Sequence, residues 1–136
     1  MQQNKIPVKK IIIGLLVLLI VLIGGCKNYN SEVIYDEGFV LKAGEEKYWA
    51  ALDARIYKFE ISADNGVDIY TFISENDYNL WKTGEKAGYY SSCSAENSTT
   101  FNKECQLNQG AVLVIVSPSS LSEASVFLRI SEGISP

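Results

Sequence analysis

The sequence predicts an all-β domain, an antiparallel β-sandwich or barrel of seven or eight short strands, following an N-terminal hydrophobic segment. Three observations carry this. Residues 55–63 alternate strictly, with Tyr57, Phe59 and Ile61 on one face and Lys58, Glu60 and Ser62 on the other, the pattern of a half-buried strand. Turn chemistry recurs every 8–12 residues from residue 38 onward. After residue 26 there is no stretch of about 12 residues with the apolar spacing of an amphipathic helix.

The first 25 residues are of another kind. Lys5, Lys9 and Lys10 precede an almost wholly apolar run over 11–25, which closes on Ile23-Gly24-Gly25-Cys26. Fifteen residues of helix cover about 23 Å, at about 1.5 Å each. A bilayer core is about 30 Å thick and needs about 20 apolar residues, so the run suits the apolar region of a signal peptide better than a stable span. Basic residues, an apolar run, small residues and a cysteine resemble a lipoprotein signal. That resemblance implies cleavage after Gly25 and lipidation of Cys26. Two acyl chains on one cysteine suffice for stable attachment, where one is marginal. Two other readings stay open, an uncleaved anchor helix with Lys10 snorkelling and an ordinary secretory signal cut near Gly25. All three put the rest of the chain outside the cytoplasm. The expected division is a signal peptide over 1–25, a lipidated cysteine and tether over 26–37, and a β domain over 38–136. Residues 27–37 are polar and, fully extended, reach about 36–40 Å at most.

The strands follow in order. Residues 38–43 form the first, closed by a turn at Gly44-Glu45-Glu46, and Trp49 in the segment after it is expected in the core. After residues 55–63, Ala63-Asp64-Asn65-Gly66 carries Asn-Gly, the strongest short hairpin signal. Val67, Ile69, Thr71 and Ile73 continue as the next strand. Residues 75–84 read as a loop or a single helical turn ending at Gly84. Strands follow at 89–93 and 99–105, then a turn at 107–110. The run Ala111-Val112-Leu113-Val114-Ile115-Val116 is apolar on both faces and suits a central strand. Ser117-Pro118-Ser119-Ser120 breaks it, and residues 123–131 close the fold with Ala124, Val126, Leu128 and Ile130 inward.

The skeleton from Gly44 through Tyr57-Lys58-Phe59-Glu60-Ile61, Val67-Asp68-Ile69-Tyr70 and Asn79 to Gly84, ending at Leu107-Asn108-Gln109-Gly110-Ala111-Val112-Leu113-Val114-Ile115, resembles small extracytoplasmic jelly-roll modules. It is similar to the bacterial pre-peptidase C-terminal domain and, more loosely, to GOLD-type β-sandwiches. The resemblance covers residues 38–132 and implies a jelly-roll-like sandwich with an accessory role in binding, secretion or assembly and no chemistry of its own. The Cys93/Cys105 pair, and Ala111 after the glycine, depart from the commoner pattern.

Charge and cysteines narrow the function. Three of the 12 basic residues and none of the 16 acidic ones precede Cys26, so the remainder holds nine against 16, a net charge of −7. With no basic stripe to displace counterions from phosphates, nucleic acid is excluded as a partner. Peripheral binding to anionic headgroups is disfavoured for the same reason. Cys93 and Cys105 form an even pair in a chain bound for an oxidising compartment, and placed in consecutive strands they suit a disulfide. A loop of about 13 residues closed this way gains about 3 kcal/mol from chain entropy. A two-cysteine metal site is the rival, lacking the further ligands zinc uses. Asn97-Ser98-Thr99 is a possible glycosylation sequon and marks surface.

The chain contains no histidine, which removes Ser-His-Asp and Cys-His catalysis. No cofactor is called for, and no enzyme is expected. Carboxylate-based hydrolysis stays as a second alternative, since any acidic chain offers pairs of acids. Asp64, Asn65 and Asp68 around one turn, with Glu75, Asn76 and Asp77 around the next, are candidate calcium ligands, although turn formation alone accounts for Asp and Asn there. Tyr78, Trp81, Tyr89 and Tyr90 fall in or beside one loop. Trp81, Tyr89 and Tyr90 are the candidate ligand-binding residues, able to stack on sugar or anchor a protein, although rings in a small sandwich also serve as core. The expected function is a membrane-anchored surface lipoprotein, held by lipid on Cys26, that binds a protein partner in the cell envelope without catalysis. A carbohydrate or cell-wall binding module is the alternative.

Overall fold

The computed structural model describes residues 31–118 and 123–133. One compact unit spans Glu32–Gly133. The signal segment, Cys26 and the first part of the tether lie outside the described residues. Among the described residues the elements are β1 (Ser31–Leu41), β2 (Glu46–Ala50), β3 (Arg55–Phe72), α1 (Glu75–Lys82), a 3-10 turn (Ser91–Cys93), β4 (Ala95–Leu107), β5 (Val112–Val116) and β6 (Ala124–Gly133). No helix among them is long and apolar enough to cross a membrane.

The protein is all-β around a single curled antiparallel sheet. Its order is β1-β6-β3-β5-β2, with β4 also pairing β3. The long β3 organises everything. Along one edge, residues 57–63 pair with β6 and residues 68–72 with β5. Along the other, β4 runs from Arg55↔Leu107 to Ile69↔Ala95. The curl brings distant parts of the sheet together. Trp49 on β2 packs edge-on against Tyr57 and Phe59 of β3, at 5.1 and 5.9 Å between ring centroids, and Lys47 Nζ lies 5.4 Å from the Phe39 ring on β1.

The main core fills the concave side. Tyr57, Phe59 and Ile61 point into it with Val67 and Ile69, as their alternation requires, joined by Phe101, Leu107, Leu113, Ile115, Val126, Leu128 and Ile130. Aliphatic and aromatic burial of this kind is the dominant favourable contribution to folding. β5 is apolar on both faces for a specific reason. Leu113 and Ile115 enter the main core, whereas Val112 and Val114 lie under α1.

Several expectations are corrected. The hairpin expected at Asp64-Asn65-Gly66 is instead a bulged bend within the continuous β3. Between Ser62↔Thr100 and Val67↔Ser98 the register shifts, with five steps along β3 answering two along β4. Such extra residues in a ladder raise twist and bend the strand. Asp64 Oδ1 accepts the Ser125 amide at 2.7 Å, and a Cβ on Gly66 would fall 2.0 Å from Asn97 Oδ1, so any other residue there would displace the Asn97 side chain. The strand expected at 89–93 is an isolated bridge, Tyr89 to Phe72, followed by the 3-10 turn. The strand expected at 99–105 is longer at both ends, as β4. These mergers leave six strands among the described residues, not seven or eight. β2 had not been anticipated as a strand. β1 begins at Ser31, so residues 31–37, expected as tether, are strand.

The segment 75–84 forms a real helix. The Ser74 hydroxyl caps it by accepting the Asp77 amide at 3.1 Å, and Gly84, at φ +79°, ends it in the left-handed conformation.

Candidate binding site

Six rings gather on the convex side of β3 and β5, where α1 lies across the sheet. Phe72 packs against Trp81 at 5.4 Å and Tyr78 at 5.9 Å between centroids, and Tyr78 stacks on Trp81 at 6.2 Å. Tyr70 touches Trp81 at 5.6 Å and Tyr89 at 6.3 Å, the latter nearly perpendicular. Tyr48, from β2, approaches Tyr78 at 5.8 Å. The centre of the cluster is buried, whereas Tyr48 is 62% exposed and Tyr89 49% exposed, so the rim offers ring surface to solvent.

Local sequence explains the placement. Regular strand alternation puts Tyr70 and Phe72 on one side near the end of β3, and Tyr78 and Trp81, three apart on α1, fall on the one helix face that meets them. Asp77 secures the arrangement. Its carboxylate accepts the Gly88 amide at 2.9 Å and the Ser74 hydroxyl at 2.7 Å, which hold the acid below its ordinary range. The loop carrying Tyr89 is thereby fixed to the start of α1.

The hydroxyls at the edge of the cluster end on carboxylates. Tyr70 donates to Glu96 at 3.0 Å and Tyr78 to Glu46. Burial, reinforced by the Glu96 bond, pushes the Tyr70 phenol up to about 12, and burial with the Glu46 bond pushes Tyr78 up as well. Lys82 Nζ sits 4.6 Å above the Tyr78 ring. The face thus combines exposed aromatic carbon, hydroxyls, and acceptor oxygens at its border.

The candidate residues are only partly united. Trp81 and Tyr89 both belong to this face, through Tyr70. Tyr90 does not: it packs against the main core, and its hydroxyl accepts the Asn108 amide at 3.4 Å. Adjacent residues in extended backbone point to opposite sides. Sequence reasoning missed Tyr48 and Tyr70 as candidates, although Tyr70 alternates with Phe72 in a strand-like segment. The calcium candidates are held apart by separate duties. Asp64 serves Ser125, Asp68 accepts the Asn97 amide at 2.9 Å, and Asp77 serves Gly88 and Ser74. Among the described residues, no group of three or more Cys, Asp or Glu side chains is placed to hold a metal ion. Asn97 is exposed with φ +50°.

Cys93 and Cys105 are joined as a disulfide, with Cα atoms 6.1 Å apart. Cys93 adjoins the far half of β3, since its carbonyl accepts the Thr71 hydroxyl at 2.6 Å, and Cys105 lies opposite Tyr57 in the near half. No family model matches this chain, and no curated protein matches it.

Proposed function

We propose that this chain is a cell-surface lipoprotein, anchored in the membrane through lipid on Cys26, whose β domain is a non-catalytic binding or assembly module for a protein partner in the cell envelope. The observation that carries the binding role is the half-exposed ring cluster of Tyr48, Tyr70, Trp81 and Tyr89. Interface hot spots are enriched in Tyr and Trp, which combine large apolar area with a polar tip. The tilted and perpendicular rings favour a protein over a sugar, which stacks best on a coplanar strip. The curled sheet, with Trp49 lying across on Tyr57 and Phe59, supports a jelly-roll-like sandwich akin to pre-peptidase C-terminal and GOLD-type modules.

The test places a photo-crosslinking amino acid at Tyr48 or at Tyr89 in intact cells. One recurrent protein adduct, absent when the crosslinker replaces Lys103 on β4, is the expected result. Adducts with no recurrent protein, together with retention of the full chain on cell-wall polysaccharide, would transfer the site to the carbohydrate reading. For the anchor, Cys26→Ala is expected to release the protein from membranes. Unchanged retention would mean that an uncleaved helix holds it.

A further inference from the structure

Apolar side chains are exposed together at one end of the domain. Leu52, at the tip of the link between β2 and β3, is 80% exposed, Val33 50%, Ile56 49% and Ile34 39%. Their proximity follows from the pairing. Ile56 lies at the start of β3, where its carbonyl approaches Gly133 near the end of β6. Arg55 bridges Glu132 of β6 at 3.5 Å and Asp53, beside Leu52, at 3.8 Å. β1 runs antiparallel to β6, since Gly38 lies by Val126 and Asp36 contacts Arg129 at 3.4 Å. Val33 and Ile34 therefore fall toward Glu132, at the same end.

This is also the end at which β1 begins, at Ser31. Only Lys27 to Asn30 separate it from Cys26, a reach of at most about 18 Å at about 3.6 Å per residue. A lipid on Cys26 would keep this end within about 18 Å of the anchored residue.

We infer that the end formed by Leu52, Ile56, Val33 and Ile34 rests on the lipid surface, with Leu52 entering the boundary between headgroups and acyl chains. This rests on the anchored reading above. The lipid is a zwitterionic one. Asp53 and Glu132 share Arg55, and with Glu32 these three acids outnumber Arg55 and the Lys27 of the link, so an anionic surface is disfavoured. Apolar side chains at the interface add to the attachment given by the acyl chains. They also set how the domain stands on the membrane.

The experiment uses the full lipidated chain in phosphatidylcholine vesicles, with an environment-sensitive dye on a cysteine introduced as Leu52→Cys or, at the far bend of the sheet, Thr99→Cys. An unsubstituted chain reacted in parallel reports any dye taken up at Cys26. The expected result is a blue-shifted emission at position 52, quenched several-fold more by nitroxide-labelled lipid than at position 99. In a chain labelled through Ile56→Cys, adding Leu52→Asp should reduce that quenching. Equal, weak quenching at both positions on vesicles that still float with the protein would overturn the docking and leave the anchor standing. A shielded but unquenched dye at 52 would also overturn it, in favour of a protein contact or a second copy. Failure of the chain to float with vesicles would remove the anchor reading and this inference with it.

Discussion

The two apolar clusters on either side of β3 use similar residues in opposite ways. On the concave side, Tyr57 and Phe59 are sealed by aliphatic side chains from β4, β5 and β6, and even the Tyr57 hydroxyl finds an internal acceptor, the Asp53 carbonyl at 2.7 Å. On the convex side, Phe72 and Tyr78 are covered by one short helix, and the rings around them spill outward to Tyr48 and Tyr89. The concave cluster is closed by strands drawn from the whole chain. The convex one is closed locally, by residues 74–89. Burial of the first specifies the fold, while the second leaves ring surface available to another molecule.

Substitutions can break this contrast. Phe59→Ala should be the most damaging, costing about 3–5 kcal/mol as a fully buried ring is exchanged for a cavity. A loss below about 1 kcal/mol in urea unfolding would mean that the concave cluster is not the main core. The double change Cys93→Ser/Cys105→Ser should follow, at about 3 kcal/mol by loop entropy, read as a lower melting temperature. Because Cys93 holds the segment after Tyr89, this variant should also weaken capture of a partner, whereas Phe59→Ala at a permissive temperature should not.

Alkali sharpens the comparison further. The Tyr70 phenol is raised from 10.0 to about 12, so the folded state keeps this proton longer than the unfolded chain. Its contribution is complete below pH 10 and is lost as pH climbs toward 12. Tyr70→Phe should flatten the decline of stability across that window in alkaline unfolding, and an unaltered slope would remove Tyr70 as its source. The smallest effect belongs to Tyr89→Ala, expected to change stability by no more than about 0.5 kcal/mol while abolishing the crosslink from Tyr48. Full retention of the crosslink would exclude the Tyr89 rim from the binding face.

Much of the concave cluster was legible in the sequence, because alternation in 55–63 and 124–130 translates directly into one buried face. So was the disulfide, from two cysteines spaced to suit neighbouring segments. The bend at Asp64-Asn65-Gly66 was misjudged since the same residues serve a hairpin and a bulge. What decides between them is whether β4 continues past the site, a long-range pairing that local chemistry does not encode. The convex cluster was half visible. Trp81 and Tyr89 could be named from their loop, but the membership of Tyr48 and Tyr70 depends on β2 and β3 lying on either side of β5. Tyr90, grouped with Trp81 and Tyr89 as a candidate, takes the core role instead, because the backbone at 89–90 is extended and neighbours there diverge.

The sheet order carries one more implication, concerning time. β1 is the first strand of the domain and β6 the last, yet β1 sits at the edge of the sheet beyond β6. A chain delivered from its N-terminus therefore holds β1, and the edge of β3 over Tyr57 to Ala63, without partners until residues 124–133 arrive. Open strand edges are templates for wrong pairing, and non-local pairing is slow. Completion of the fold is thus timed by the last strand, and a chain lost or cut before residue 124 would keep an adhesive edge exposed in the middle of its longest strand.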